Sequence, residues 1–161
     1  ARGKHKTVAA GLTTEPVTTD TSGDHVIALA ALQRLLAGMT GGAPPQAVAH
    51  RVVHGGHWYR QAVRVDEGVM QRLESLQPLA PLHQPHNLEG IRSLQRLYPG
   101  VPQVACFDTA FHADLPEREY LFALPRRLSD QGIRRYGFHG LSYEYLRGQL
   151  QRLSPRAGDR V

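Results

Sequence analysis

Val101-Pro102-Gln103-Val104-Ala105-Cys106-Phe107-Asp108 is an apolar run that stops on a carboxylate. It predicts a strand over 101–108 that delivers a charge at its end. Upstream, Asn87 predicts a helix cap, with Leu88, Ile91, Leu94 and Leu97 toward the core and a stop at Pro99-Gly100. Pro78, Pro81 and Pro85 predict an extended segment before that helix. Asp66 predicts the cap of a helix carrying Val69, Leu73 and Leu76 on one face. Val48 to Val53 reads as a buried strand running into Gly55-Gly56, and Gln61 to Val65 as a second, half-exposed one. Nearer the N-terminus, Asp24 predicts the cap of a helix with Ile27, Ala31, Leu32, Leu35 and Leu36 at helical spacing, ending at Gly38. Residues up to about Gly23 read as a short strand and loops. Downstream come a short helix over Pro116 to Leu121, a strand over Ile133 to Phe138, and a helix capped by Ser142 that carries Leu146, Leu150 and Leu153. Strands alternating with helices imply an α/β domain on a largely parallel or mixed sheet with flanking helices.

The 161 residues allow one domain with a real core, not two. No apolar run approaches the length needed to span a bilayer, so no membrane partner is expected. The net charge of +5 comes from 19 basic side chains scattered along the chain. They are not interleaved with aromatic residues as on a platform for bases, which argues against nucleic acid. A positive balance suits anionic substrates, although compensating acids elsewhere would explain it as well. The single Cys106 excludes an internal disulfide, reads as buried packing and points to a cytoplasmic location, and no signal-type apolar segment follows the basic start.

Ligands of α/β sheets gather at the carboxyl ends of strands, and Arg51, Asp108 and His139 all fall at or near such ends. Arg51 and Val53 share one face of their strand, while His50, Val52 and His54 point to the other. A guanidinium beside a small apolar group can hold the carboxylate and tail of a short acid, since its planar fork pairs with two oxygens. A structural ion pair explains Arg51 equally well, with Asp108 as the obvious partner. His139, between Gly137-Phe138 and Gly140 and before a helix start, can donate a hydrogen bond to an anion there; a lone histidine in a glycine-rich turn is otherwise structural. Gly55-Gly56 permit close approach or positive φ. Nine histidines, with His50, His54 and His57 close in sequence, raise a metal hydrolase as a rival. Yet His50 and His54 would lie about 13 Å apart along one strand face, too far for one ion.

The stretches His50-Arg51-Val52-Val53-His54-Gly55-Gly56, Ala80-Pro81-Leu82-His83-Gln84-Pro85-His86-Asn87, Phe107-Asp108-Thr109-Ala110-Phe111-His112 and Tyr136-Gly137-Phe138-His139-Gly140, in that order, resemble the acetate kinase family, also called acetate/propionate kinases. The match runs from about Val48 to Tyr145. It implies a partial N-terminal domain of the ribonuclease H-like kind shared with actin, sugar kinases and heat-shock chaperones, with the nucleotide-binding C-terminal domain absent. It implies reversible phosphoryl transfer from ATP, with Mg²⁺, to acetate or propionate, giving an acyl phosphate and ADP, and a homodimer for the complete protein.

By the same resemblance, Asp108 and His139 are catalytic, His139 as transition-state stabiliser, and Arg51, Val53, Leu82 and Phe138 bind the substrate. It implies no cofactor-binding or metal-ligating residue in this chain. His57 stands where a Glu is usual, and Leu141-Ser142-Tyr143 where Thr-Ser-His is usual. A non-catalytic folded fragment or carboxylate-binding module is the alternative. Phosphoryl transfer depends on positioning both substrates and the metal. The expected outcome is therefore that this chain alone forms no acyl phosphate from ATP and acetate, assayed as hydroxamate; clear turnover by pure protein contradicts it.

Overall fold

The computed structural model describes residues 21–154 and Arg156. The strand and loops expected before Gly23 lie, up to residue 20, outside the described residues. Two compact units divide the chain at Gly42. In the first, helix α1 covers Thr21–Thr40. It is already running at Asp24, so the expected cap there is interior to the helix. It passes the expected stop at Gly38 and ends before Gly41 and Gly42, whose φ values of 63° and 87° break the helix. The Gly42 N–H donates back to the Ala37 carbonyl at 2.9 Å.

The second unit is built on a mixed three-stranded sheet, β1 (Val48–Val52), β2 (Val63–Arg64) and β3 (Gln103–Phe107), in the order β1-β3-β2. β1 and β3 run parallel, with Arg51 opposite Cys106 and Val52 opposite Phe107; β2 is antiparallel to β3. A parallel pair needs a long crossover. Here it contains α2 (Glu67–Ser75) and α3 (Gln84–Leu97). Leu73 of α2 and Leu88 and Ile91 of α3 bury against Val52, Ala105 and Phe107, and the Tyr59 ring stacks on Phe107 with centroids 4.9 Å apart. Cys106, on the other face of β3, is half-buried rather than fully packed away. Gln84 is buried without charge: its Nε2 donates to the carbonyls of His54 and Leu73, tying the start of α3 to the end of β1.

Asp66 caps α2 as expected, its Oδ1 accepting from the Val69 N–H at 2.7 Å. The proline-spaced stretch is not extended. Pro78 sits in the first turn of a 3₁₀ segment, Gln77–Leu79, and Pro85 in the first turn of α3. A φ fixed near −65° suits a first helical turn as well as an extended chain. Asn87 lies inside α3 and does not cap it. Beyond β3 come α4 (Glu117–Tyr120), α5 (Arg126–Asp130) and α6 (Gly140–Leu153).

The expected strand over Ile133 to Phe138 is unpaired. β3 already has a neighbour on each side, and the N–H groups of Ile133 and Arg135 go to the carbonyls of Leu128 and Tyr120. Ser142 does not cap α6 either. The helix begins at Gly140 with His139 as its cap, and the Ser142 N–H already bonds the His139 carbonyl. Leu146, Leu150 and Leu153 stand exposed on it. Among the described residues no helix is long and apolar enough to cross a membrane.

Asp66→Ala leaves the Val69 N–H without its side-chain acceptor. The expected cost is about 1 kcal/mol, read as a lower urea midpoint at unchanged m-value; an unchanged midpoint contradicts the capping role.

Candidate active site

β1 delivers Arg51 to one face and Val52 to the core, where Val52 is fully buried. The parallel register sets Asp108 one residue past the end of β3. Its N–H extends the ladder by bonding the Val52 carbonyl at 3.0 Å. The Asp108 side chain is 2% exposed, and its charge is met by Arg51, whose side chain is 62% exposed. Arg51 Nε lies 3.0 and 3.1 Å from the two carboxylate oxygens, and Nη2 lies 2.7 Å from Oδ2. Hydrogen bonding to Asp108, and then its negative charge, raises the Arg51 pKa above the ordinary arginine value.

His139 joins this pair from the start of α6. Its Nδ1 is 3.3 Å from Arg51 Nη2 and 4.0 Å from Asp108 Oδ2. Arginine has only donors, so Nδ1 accepts and, in the neutral ring, the proton sits on Nε2. The His139 backbone is left-handed, with φ 58°. The next N–H, that of Gly140, donates to the Asp108 carbonyl at 2.8 Å. A side chain at 140 would collide with that carbonyl and with Phe111, so glycine is required there. Gly55 is equally constrained: its N–H donates to Thr109 Oγ1, and a Cβ would stand 2.9 Å from the Phe107 ring. Gly56 takes the positive φ, 63°.

A cavity of about 540 Å³ opens at this point, lined by Arg51, Val53, Asp108, Phe138 and His139 together with Leu79, Ala80, His83 and Asn87. Five of the six predicted site residues meet at it. Leu82 does not: it is 78% exposed and outside the lining, because the turns through 77–83 bring Leu79 and Ala80 to the wall instead. The three histidines of the metal reading are engaged separately. His50 Nε2 pairs with Gln103 Oε1 at 2.7 Å, His54 Nδ1 accepts the Gly56 N–H at 2.9 Å, and the His57 ring lies 4.3 Å from that of Trp58. No group of three or more metal-ligating side chains occurs among the described residues.

The Acetokinase family profile matches residues 5–160. The chain belongs to the acetokinase family. It is 56% identical over 111 residues to an acetate kinase of Rhodopseudomonas palustris, an alignment covering 69% of this chain and 28% of that protein. With an acetate kinase of Methylocella silvestris it shares 51% over 128 residues, covering 78% and 32%. The chain thus spans about a third or less of these relatives. Among solved structures it resembles the acetate kinase of Porphyromonas gingivalis, with a TM-score of 0.70 and 38% identity over 80% of this chain and 34% of that one. It also resembles a propionate kinase of Francisella tularensis, with a TM-score of 0.65 and 34% identity over 83% and 32%. Its mixed sheet with flanking helices is accordingly part of a ribonuclease H-like domain.

Sequence reasoning missed Asn87 as a site residue in this acetokinase chain. Its Oδ1 accepts the Val53 N–H at 2.9 Å, pinning the strand just past Arg51. An Asn at a helix start reads as a cap, and nothing in the sequence distinguishes a local backbone partner from a distant one. His54 lies behind the wall, its ring edge-on to Tyr136 and Phe138 at 4.5 and 5.6 Å. Burial lowers its pKa below the ordinary 6.5. The unfolded chain then binds the proton more readily, so this contribution to stability is lost as pH falls through the unfolded value of about 6.5. His54→Asn keeps an acceptor for the Gly56 N–H but does not titrate. Between pH 7 and pH 5 the melting temperature of the wild type should fall more than that of the variant; parallel curves contradict the assignment.

Proposed function

We propose that this chain is the acid-binding part of an acetate kinase, which reversibly transfers the γ-phosphoryl of ATP to acetate or propionate. The observation that carries the reading is the meeting of Arg51, Asp108 and His139 within 4.0 Å at one apolar-walled cavity. Asp108 occupies Nε and one edge of Nη2 of Arg51, and Nη1 has no hydrogen-bond partner among the described residues. That free edge suits an incoming carboxylate or phosphoryl oxygen. Val53 and Phe138 flank the acid's short tail, and Leu79 and Ala80 take the wall position that the resemblance gives to Leu82.

A carboxylic acid is ionised at neutral pH, so the attacking oxygen needs no strong base. Asp108, with both oxygens bonded to Arg51, serves to fix the guanidinium and balance its charge. His139 Nε2–H is the donor for the equatorial oxygens of the phosphoryl group in flight, where charge stabilisation counts most. Acetate and propionate differ by one methylene, worth about 1 to 3 kcal/mol in such a pocket. The reading carries with it Mg²⁺ and ATP in the complete enzyme, a cytoplasmic location and a homodimer. Among the described residues Asp108 is committed to Arg51, and no group of three or more ligating side chains occurs.

Acetate titrated into labelled protein should give saturable NMR shifts at the Val53 methyls and the Phe138 ring. Arg51→Lys keeps a cation beside Asp108 but loses the fork, and should weaken binding by about tenfold or more. Shifts that never saturate, or a lysine variant that binds as tightly, contradict the reading.

A further inference from the structure

We propose that His112 is a positioning residue that holds His139 in its working conformation; this rests on the role proposed for His139. His139 is the only non-glycine residue with positive φ among the described residues. A residue with a β-carbon does not rest there unless its surroundings hold it. The two peptide groups that flank it are both gripped by one short segment, Asp108 to His112. On the near side, the Phe138 carbonyl lies 3.0 Å from His112 Nε2. On the far side, the Gly140 N–H donates to the Asp108 carbonyl at 2.8 Å. A carbonyl can only accept, so Nε2 of His112 carries a proton and the ring is the donor.

The ring is itself well located. His112 closes a 3₁₀ turn over Ala110–His112, its backbone N–H donating to the Thr109 carbonyl. Phe111 and Tyr143 stand edge-on to its ring, at centroid distances of 5.2 and 5.6 Å. Beneath it runs Gly137, where any β-carbon would enter the imidazole, so the absence of a side chain is what lets the ring reach the Phe138 carbonyl. The consequence is directional. Fixing the peptide before His139 and the peptide after it leaves little freedom in φ and ψ, and so sets the direction in which the His139 side chain leaves the backbone; its Nδ1 then meets Arg51 Nη2 at 3.3 Å. His112 acts through His139 and lies outside the cavity lining.

The test compares the full chain as wild type, His112→Phe and His112→Gln. Phenylalanine keeps the ring and its aromatic neighbours but loses the donor; glutamine loses the ring and keeps an N–H donor within reach. Amide hydrogen exchange at Gly140 is the deciding readout, because it requires no turnover. In His112→Phe it should quicken about tenfold or more while the β3 amides keep their rates. The ¹⁵N response of the His139 ring to added inorganic phosphate should be lost in the same variant, and His112→Gln should recover both.

Unchanged Gly140 exchange in folded His112→Phe overturns the proposal, as does a glutamine variant that behaves like the phenylalanine one. If His112→Phe does not fold, His112→Ala, which also removes the donor, is read against His112→Gln by the same criteria. A wild-type His139 ring that ignores phosphate counts against the kinase site, while Gly140 exchange still decides this inference.

Discussion

A carboxylate with almost no solvent contact has to be answered, and the Arg51 fork on Asp108 is the interaction on which the rest of the site depends. An unpaired charge at that depth would cost several kcal/mol. The pairing follows from the parallel register of β1 and β3: Arg51 lies opposite Cys106, and Asp108, two residues further along, returns to the same face at the same end of the sheet. Asp108 is bound three ways. Its N–H goes to Val52, its carboxylate to Arg51, and its carbonyl to the Gly140 N–H that starts α6. Moving the pair would therefore move the helix start and His139 with it.

The electrostatics suit binding and charge stabilisation better than proton abstraction. Both Asp108 oxygens are taken by the Arg51 fork, and the proposed phosphoryl transfer needs no strong base. The guanidinium keeps an unoccupied edge, and the imidazole keeps Nε2–H because Nδ1 faces a donor. A guanidinium and an imidazole donor beside an apolar wall suit the proposed binding of a small acid and a phosphoryl group together. Membership of the acetokinase family and the likeness to solved acetate and propionate kinases point to the same chemistry.

What was legible in the sequence were the places where local pattern and tertiary role agree. The alternation across Arg51, Val52 and Val53, the apolar approach to Asp108, the Asp66 cap and the helical spacing of Leu88 and Ile91 all read correctly, because burial on one face enforces them. What failed were groups with two physically equivalent uses. Proline fixes φ for a helix start as readily as for an extended chain, so the turns around Pro78 and Pro85 were hidden, and with them the exchange of Leu82 for Leu79 and Ala80. Asn87 and Ser142 carry capping side chains but lie inside their helices, Asn87 serving a strand instead. Ile133 to Phe138 has strand-forming residues but no free edge of β3 to pair with. The left-handed His139 leaves no mark in sequence except the glycines around it, Gly137 and Gly140, and their reason is contact with His112 and Asp108.

A crystal structure of the chain grown in acetate tests the central claim most directly. The account predicts a carboxylate hydrogen-bonded to the free edge of Arg51, its methyl group toward Val53 and Phe138, with the Arg51–Asp108 fork intact and His139 beside it. Acetate bound elsewhere, or a structure in which Arg51 has left Asp108 and His139 faces away, would contradict it.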